Sequence, residues 1–590
     1  MELAVPKSIP ILKIMLAKNY LIADIIPLIP LPSNSPDFFS YYSDKKIKPG
    51  SIVEIDFKKK KILGYVYQVA PLFKKRKELK DILEKIKPIK KVINENSLIG
   101  SEEIKIIQWL SNYFGFSLSS AFSYFFLYKK ILPYLKFNIS FQKRKRKRKE
   151  VFLEKLEKKI LENKKSLILV PEISFIEEVK KIIEKFNLSH LILKPPFDLP
   201  KIENVLERLL KEKELIIISP KTLIFFPWKN LDQIIIYKEG LFFYYDSFKN
   251  INFDYRKIIK KTSEIKNFDL IIVDNLPSFE TIKDHNLEIK IELPIKKILN
   301  NLDEVLLELK NFQKVVIFVP QKFVGRGLVC QNCFYVYKCP FCENDLIFEK
   351  KIFCPYCLKE IKIDLNRCPQ CNQENTFGFK KIGALGLSKL IEDKNVFLLT
   401  KKRKKLLKKI SNLDNFIIFG SLSLISGFLP NFDALFFFNF EDFYLSSDPF
   451  LREKFIRILN FFKEKTKNIF LISSLRNPKI EKELINGEII KNLINERKIL
   501  NLPPYKRIIK LIKGAKNFYN LQNEFLQIAN FLKNELKEEI IGPIFSKPFK
   551  KRKKTYLEII IRTEKENIDL KKFLNNLPGF EKIKIDPLEI

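Results

Sequence analysis

The residues with the plainest chemistry are the cysteines. All eight lie between Cys330 and Cys371, as four C-x-x-C pairs: Cys330/Cys333, Cys339/Cys342, Cys354/Cys357 and Cys368/Cys371. A two-residue spacer lets both sulfurs of a pair reach one ion from a tight turn, and eight thiolates make two tetrahedral four-cysteine zinc sites. Every thiolate is then used, so no coordination position stays open. The expectation is two structural Zn2+ ions that hold a small module together and do no chemistry. A disulfide framework is the competing reading. It does not suit a chain of 590 residues with no signal-peptide pattern and with its cysteines confined to one segment.

Cations form the second chemical feature. Lys143, Arg144, Lys145, Arg146, Lys147, Arg148 and Lys149 run consecutively, and KPFKKRKK (547–554) holds Lys550, Lys551 and Arg552. With a net charge of +39 and a pI near 9.6, the chain suits a polyanionic partner, nucleic acid before an anionic membrane. Part of that charge is composition, since the chain is rich in Lys, Ile, Phe and Asn and poor in Gly and His. The bland alternative for either run is a solvated linker. His190 and His285 lack ligand spacing and read as ordinary surface or partly buried residues. No apolar run reaches the ~18 residues of a membrane span; the stretch 9–31 is broken by Lys13, Lys18 and Asp24. A cytoplasmic protein with no membrane partner is expected.

The elements that must position these groups follow from periodicity. SIVEIDF (51–57) and ILGYVYQV (62–69) read as strands joined by the lysine turn 58–61, after a turn at Pro49-Gly50. EEIKIIQWLSNYF (102–114) reads as a helix with Ser101 as N-cap. VFLEKLEKKILEN (151–163) and FIEEVKKIIEKF (175–186) have helical spacing. SLILVPE, ELIIIS (214–219), QIIIYKE (233–239) and DLIIVDN (269–275) are buried strands, which is β-α-β grammar. Residues 313–319, with KVVIFV, open a second such region, which resumes after the cysteines with NVFLLT (395–400), FIIFGS (416–421), ALFFFNF (434–440) and NIFLISS (468–474). Asp303-Glu304 lies inside an amphipathic helix. The last segment mixes strands and helices.

With the eight cysteines in place, local segments resemble the primosomal protein N′ (PriA) family of replication-restart helicases. They are LILVPEISF (167–175), PKTLIFFPWKNLDQIII (220–236), NLPSFE (275–280), LPPY (502–505), IGPIF (541–545) and KIDPLEI (584–590). The resemblance implies an α/β multidomain fold: two RecA-like helicase lobes, a two-zinc, eight-cysteine module inserted in the second, a β-rich N-terminal DNA-binding domain and an α+β C-terminal domain. The implied segments are 1–127 (N-terminal 3′-end DNA-binding domain), 128–150 (basic linker), 151–300 (lobe 1), 301–329 with 376–500 (lobe 2), 330–375 (zinc module) and 501–590 (C-terminal domain). It also implies nested zinc sites, with Cys330, Cys333, Cys368 and Cys371 on one ion and Cys339, Cys342, Cys354 and Cys357 on the other. The family's F-D-Y pocket for a 3′ end falls on Phe39, Ser40 and Tyr41, with Gly50 and Lys87 nearby; a serine stands where the family has the aspartate.

The chain departs from the family at its nucleotide site. A phosphate loop needs G-x-x-x-x-G-K-[ST], because glycine lets backbone N–H groups wrap phosphates. Gly-Lys occurs nowhere in this sequence. Counted back from LVPE, the family's G-S-G-K-T-E-V-Y-L falls on KRKRKEVFL (145–153), with Glu150 to Leu153 as the helix start. The Mg2+-binding D-E-E-H box reads Tyr237, Lys238, Glu239, Gly240. G-T-Q-x-x-x-K-G becomes Gly420, Ser421, Leu422 through Ser426 and Gly427. The arginine motif has no counterpart in KEKTKNIF (463–470). Too few residues separate Leu127 from Glu150 for the family's winged helix. Arg148, Lys149, Tyr237, Lys238, Glu239 and Gly240 thus mark a degenerate nucleotide site, with no catalytic residue and no expected use of ATP or Mg2+.

The resulting expectation is a PriA-like protein that binds forked or single-strand-containing DNA in replication restart. Single-strand-binding protein and other primosome proteins are the implied protein partners, and ATP-driven unwinding is lost. The alternatives are a working ATP-dependent 3′-to-5′ helicase and a zinc-dependent replisome adaptor.

Overall fold

The computed structural model describes residues 20–32, 35–79, 86–95, 99–125, 148–157, 164–196, 198–248, 251–391, 395–399, 403–446, 448–473, 478–551, 554–564, 573, 577 and 579–587. The chain divides into two compact units: Met1–Glu239 with Asp246–Asn275 and Lys565–Gly579, and Gly240–Tyr245 with Leu276–Glu564 and Phe580–Ile590. The fold is mixed α/β and multidomain, with a β-rich N-terminal region.

That region is a six-stranded sheet. Its strands are β1 (Leu21–Pro27), β2 (Phe39–Ser43), β3 (Ile52–Phe57), β4 (Lys60–Pro71), β5 (Lys87–Pro88) and β6 (Lys91–Asn94), in the order β5-β2-β1-β4-β3-β6. Lys58 and Lys59 take positive φ and make the β3–β4 turn, whereas Lys60 and Lys61 already belong to β4. Helix α1 (Leu72–Leu79) follows β4, and α2 (Ser101–Phe114) and α3 (Leu118–Phe125) follow β6. Ser101 is the first helical residue of α2, and Gly100 is the cap: Glu103 reaches back to the Gly100 N–H at 2.8 Å. The acid three residues inside the helix does the capping, which explains why the hydroxyl is not needed there.

Further along this unit lies an all-parallel sheet of β7 (Glu150–Leu153), β8 (Lys165–Val170), β9 (His190–Ile192), β10 (Leu215–Pro220), β11 (Gln233–Tyr237) and β14 (Asp269–Val273). Their order is β7-β14-β11-β8-β10-β9. The short strands β12 (Tyr245–Phe248) and β13 (Ile251–Asp254) precede β14. Strands β10, β11 and β14 are buried along their full length, as expected when both faces of a parallel sheet are covered. Helices α4 (Ile176–Glu184), α5 (Leu199–Lys211) and α6 (Tyr255–Lys266) are amphipathic connections. Glu150–Leu153 is a strand, not the start of a helix. The β-branched and aromatic Val151 and Phe152 pair in parallel register with Ile271 and Ile272, and that pairing overrides the helical spacing of 151–163.

The second unit holds another parallel sheet: β15 (Ile295–Leu299), β16 (Lys314–Phe318), β21 (Val396–Leu398), β22 (Phe416–Gly420), β23 (Ala434–Phe438) and β24 (Ile469–Ile472), ordered β15-β24-β23-β16-β22-β21. Its core joins Val315, Ile317, Phe419, Phe436 and Phe470 to Val305 and Leu309 of α7 (Leu302–Leu309). Helices α8 (Pro449–Lys463) and α9 (Ile489–Ile499) belong to the same unit. Between β16 and β21 the chain makes a small antiparallel sheet, β19-β18-β17-β20, from β17 (Gly325–Cys330), β18 (Ile347–Phe348), β19 (Ile352–Phe353) and β20 (Phe377–Ile382). The cysteines sit on and between these strands. The last part pairs β25 (Arg507–Ala515), β26 (Glu539–Lys551), β27 (Lys554–Thr563) and β28 (Lys582–Ile585) as β28-β25-β27-β26, with α10 (Phe518–Leu536) packed against it. Among the described residues, no helix is long and apolar enough to cross a membrane.

Candidate metal centres and candidate nucleotide-site residues

Four turns of one design build the metal centres. In each, the residue after the second cysteine takes positive φ: Phe334, Glu343, Leu358 and Asn372. Its N–H donates to the carbonyl of the first cysteine at 2.8–2.9 Å, as in Phe334 to Cys330 and Glu343 to Cys339. The first cysteine's own N–H donates onward, to the carbonyl of Tyr335, Asn344, Lys359 or Gln373 at 2.9–3.0 Å. Each turn therefore presents both sulfurs to one side.

The turns assemble in nested pairs. Sγ atoms of Cys330, Cys333, Cys368 and Cys371 lie within 4.8 Å of one another, and so do those of Cys339, Cys342, Cys354 and Cys357. Specific separations are 3.7 Å for Cys330–Cys371, 3.6 Å for Cys333–Cys368, 4.0 Å for Cys339–Cys357 and 3.5 Å for Cys342–Cys354. A disulfide would need about 2.05 Å. Four sulfurs about 2.3 Å from one tetrahedral ion stand about 3.8 Å apart, so both clusters could each hold one metal ion. The Thr376 hydroxyl, 3.1 Å from Cys330 Sγ, leads the effects that hold that thiol down at about 6. Burial opposes the same change at Cys342, but the Asn344 side chain and backbone N–H outweigh it and bring that thiol to about 7. Cys333 and Cys354 shift the other way, up to about 12, so the thiols of each cluster do not all favour the thiolate in the absence of a metal.

At the carboxyl end of the first parallel sheet, Tyr237 closes β11 and Lys238 follows at positive φ. The Tyr237 hydroxyl donates to Glu178 Oε1 at 2.7 Å, and Lys238 Nζ lies 3.6 Å from the same oxygen. Tyr237, Lys238 and Glu239 are all buried. Gly240 belongs to the second unit, where a β-carbon on it would stand 1.9 Å from the Leu276 carbonyl oxygen and 2.2 Å from Arg457 Nη1. Arg457 donates to the Leu276 and Pro277 carbonyls at 2.8 and 3.0 Å and to Glu453 at 2.6 Å. Glu453 also pairs with Arg497, which donates to the Pro503 carbonyl at 2.9 Å. The NLPSFE and LPPY segments thus share one buried arginine–glutamate lattice that spacing alone did not reveal.

Arg148 pairs with Glu150 and lies 3.9 Å from Glu264, and the Lys149 N–H donates to Asp269 at 3.0 Å. Lys143, Arg144, Lys145, Arg146, Lys147 and Arg552 lie outside the described residues, as does most of the segment in which a winged helix was not expected. Lys550 and Lys551 are on β26, opposite Thr555 and Lys554.

In the N-terminal sheet, Phe39 and Tyr41 share the face that packs on Ala23, Ile25, Val53 and Ile55. Tyr41 donates to the Asp56 carbonyl at 3.0 Å, and burial, aided by the Asp56 charge, pushes its phenol up to about 12. Gly50 sits at φ +92, and exposed Lys87 is in register with Tyr41. Ser40 faces the other way and joins Asp24, Gln68 and Lys75, none of which was singled out from sequence. The readable signal was Asp24 itself, a lone acid inside the apolar strand LIADIIP.

The family described as the PriA 3′DNA-binding domain (3′BD) matches residues 28–126. The replication restart protein PriA of Helicobacter pylori is 22% identical over 95% of this chain and 99% of its own length. That of Rickettsia conorii is 22% identical, covering 68% of this chain and 72% of the relative. The chain is thus similar to PriA proteins over most of its length, and residues 28–126 match that family's domain. PriA of Borreliella burgdorferi gives a third likeness, 24% identical over 74% and 73% of the two chains. A solved helicase, Lhr of Mycobacterium smegmatis bound to ssDNA and AMP-PNP, aligns with 57% of this chain and 42% of its own at TM-score 0.30 and 7% identity. That is too distant to bear on the fold.

Proposed function

We propose that this PriA-like chain acts in replication restart by binding forked or single-strand-containing DNA, and that it no longer drives unwinding with ATP. On this reading the two parallel sheets are RecA-like helicase lobes, and the eight-cysteine module holds two zinc ions in the second. The 3′BD region supplies DNA binding, and the basic runs Lys143–Lys149 and Lys550–Arg552 add contacts to phosphates.

The observation that carries the reading is the Tyr237–Glu178–Lys238 cluster. Ligands in parallel α/β sheets bind beyond the carboxyl ends of the strands, and here that end of β11 is filled by buried side chains paired with each other. A tyrosine stands where a metal-binding aspartate is required. The phosphate loop is also missing. Such a loop leaves the end of a strand and leads into a helix, which puts its position after β7, not before it. The eleven residues 154–164 between β7 and β8 contain no glycine. They would have to hold both an eight-residue loop and its helix. These residues do not fit Mg2+-ATP.

A second reading, a zinc-dependent protein adaptor, draws on the exposed knuckle residues Phe334 and Leu358. It also draws on the module's even charge, six Lys/Arg against six Asp/Glu over 330–375. Fluorescence anisotropy with forked DNA and no nucleotide separates the two. Salt-sensitive binding supports the DNA reading. Failure to bind any DNA at low salt removes it and leaves the adaptor.

A further inference from the structure

The small sheet of the cysteine module ends at an open strand edge. Phe353 of β19 bridges Glu360 antiparallel, and the Ile361 N–H donates to the Ile352 carbonyl at 2.9 Å, so the chain after Cys357 lies against β19. From there half-buried Ile361, Ile363 and Leu365 alternate with exposed Lys362 and Asp364, the period of a strand. The three apolar side chains pack on the module's core. Along an antiparallel strand, backbone N–H and C=O groups turn to alternate sides. Ile361 turns its own toward β19, so Lys362 and Asp364 turn theirs outward. Neither backbone has a hydrogen-bond partner among the described residues. Nearby Lys351 pairs with Glu360 at 2.9 Å, whereas Lys362 has no ion-pair partner among the described residues. Asp364 Oδ1 accepts the Asn366 N–H at 2.9 Å, which leaves Oδ2 for a second donor.

An unpaired edge is a template for another strand, and the charges along this one select which. We propose that it pairs antiparallel with the same edge of a second copy of the chain, about a two-fold axis at Ile363. Lys362 then faces the second copy's Asp364, and Asp364 faces its Lys362. Both pairs exchange their outward N–H and C=O groups, and Ile361 faces Leu365. A slip of one residue would set apolar side chains against charged ones. An axis at Lys362 would oppose two lysines and set Glu360 against Asp364, and an axis at Asp364 would oppose two aspartates. Like charges directly opposite destabilise a strand pair, so EIKIDL (360–365) fits itself in one register. An open groove of about 450 Å3, lined in part by Phe348, Ile352, Ile361 and Ile363, lies beside the edge and can receive the second copy's apolar side chains. The net charge of +39 opposes self-association, but the module around this edge is evenly charged.

A pairing this short belongs with the weak, transient interfaces. The test is analytical ultracentrifugation of the full chain over rising concentration at ~0.15 M salt, where charges beyond ~8 Å are screened. The wild-type chain should form a reversible dimer with a Kd between micromolar and millimolar. Lys362→Asp should weaken it about tenfold or more, because two attractive cross-strand pairs become repulsive. That change also lowers the net positive charge, so repulsion between whole chains cannot account for the loss. Lys362→Asp together with Asp364→Lys should restore the dimer, which a general loss of folding would not allow. A wild-type chain that stays monomeric to its solubility limit overturns the proposal and leaves the edge to a strand of another protein. A dimer that Lys362→Asp leaves intact, or that the double exchange fails to restore, overturns it as well.

Discussion

Glu103→Gln should destabilise the region around α2 and α6 by about 3 kcal/mol. The Glu103 side chain has no exposed surface and serves Lys229, at 2.8 Å, and Lys266. Its Oε2 also accepts the Gly100 N–H. Gln keeps the shape and an acceptor and removes the charge. Burial alone would push this carboxyl up. The charges of Lys266 and Lys229, with their hydrogen bonds, outweigh it and hold the group at about 2, against an ordinary 4.5. A displacement of that size is worth ~3 kcal/mol, at the lower end of the ~3–5 kcal/mol for leaving a buried charge unpaired. Burial already lowers the Lys266 pKa, so that ammonium can shed its proton in the variant and limit the loss. Because the folded value lies below the unfolded one, the contribution is complete above about pH 4.5 and is lost as pH falls through about 2. Both tryptophans report on the cluster: the Trp228 carbonyl accepts Lys266 Nζ at 2.7 Å, and Trp109 lies on α2. Urea unfolding followed by tryptophan fluorescence at pH 7 and pH 3 measures the effect. The wild-type chain should weaken between the two pH values, and the variant should start weaker and change less. Equal midpoints at pH 7, or equal loss on acidification, would refute the reasoning.

Metal analysis of the purified chain should give two zinc ions. Cys354→Ser should lower the content to one and leave the helical circular dichroism of both parallel-sheet regions in place, whereas full content in that variant would contradict the nested sites. Gly240→Ala should destabilise the second unit by about 1–3 kcal/mol through overpacking, because the new methyl would push Arg457 off the Leu276 carbonyl; an unchanged melting temperature would count against that hydrogen bond. Neutralising Lys143–Lys149 and Lys550–Lys554 should flatten the salt dependence of fork binding, by ~0.9 in log–log slope for each phosphate no longer neutralised. An unchanged slope would reduce the basic runs to composition.

Much of the architecture was legible because long apolar strands and repeated cysteine spacing are local signals. DLIIV and QIIIY are continuous apolar runs, and they form fully buried neighbours in one sheet. The nesting of the cysteines was not local: spacing gives pairs, and only the antiparallel β17–β20 pairing carries Cys330 toward Cys371. Residues 150–153 misled because periodicity over 151–163 is helical, while the pairing of β7 with β14 is set 120 residues away, as in Leu270 with Glu150. The Asp24–Ser40 couple depends on cross-strand register, and the Glu103 cluster on side chains brought together across more than a hundred residues. Neither leaves a motif. A lone acid in an apolar strand was the one trace.

The central claim is tested most directly by phosphate release from ATP by the full chain, with Mg2+ and forked DNA at a concentration that saturates binding. Release should match a control without protein, since no glycine loop follows β7 and Tyr237 and Lys238 close on Glu178 at the end of β11. DNA-stimulated release well above that control, abolished by substitution at Glu239, would contradict the account and restore a working ATP-driven helicase.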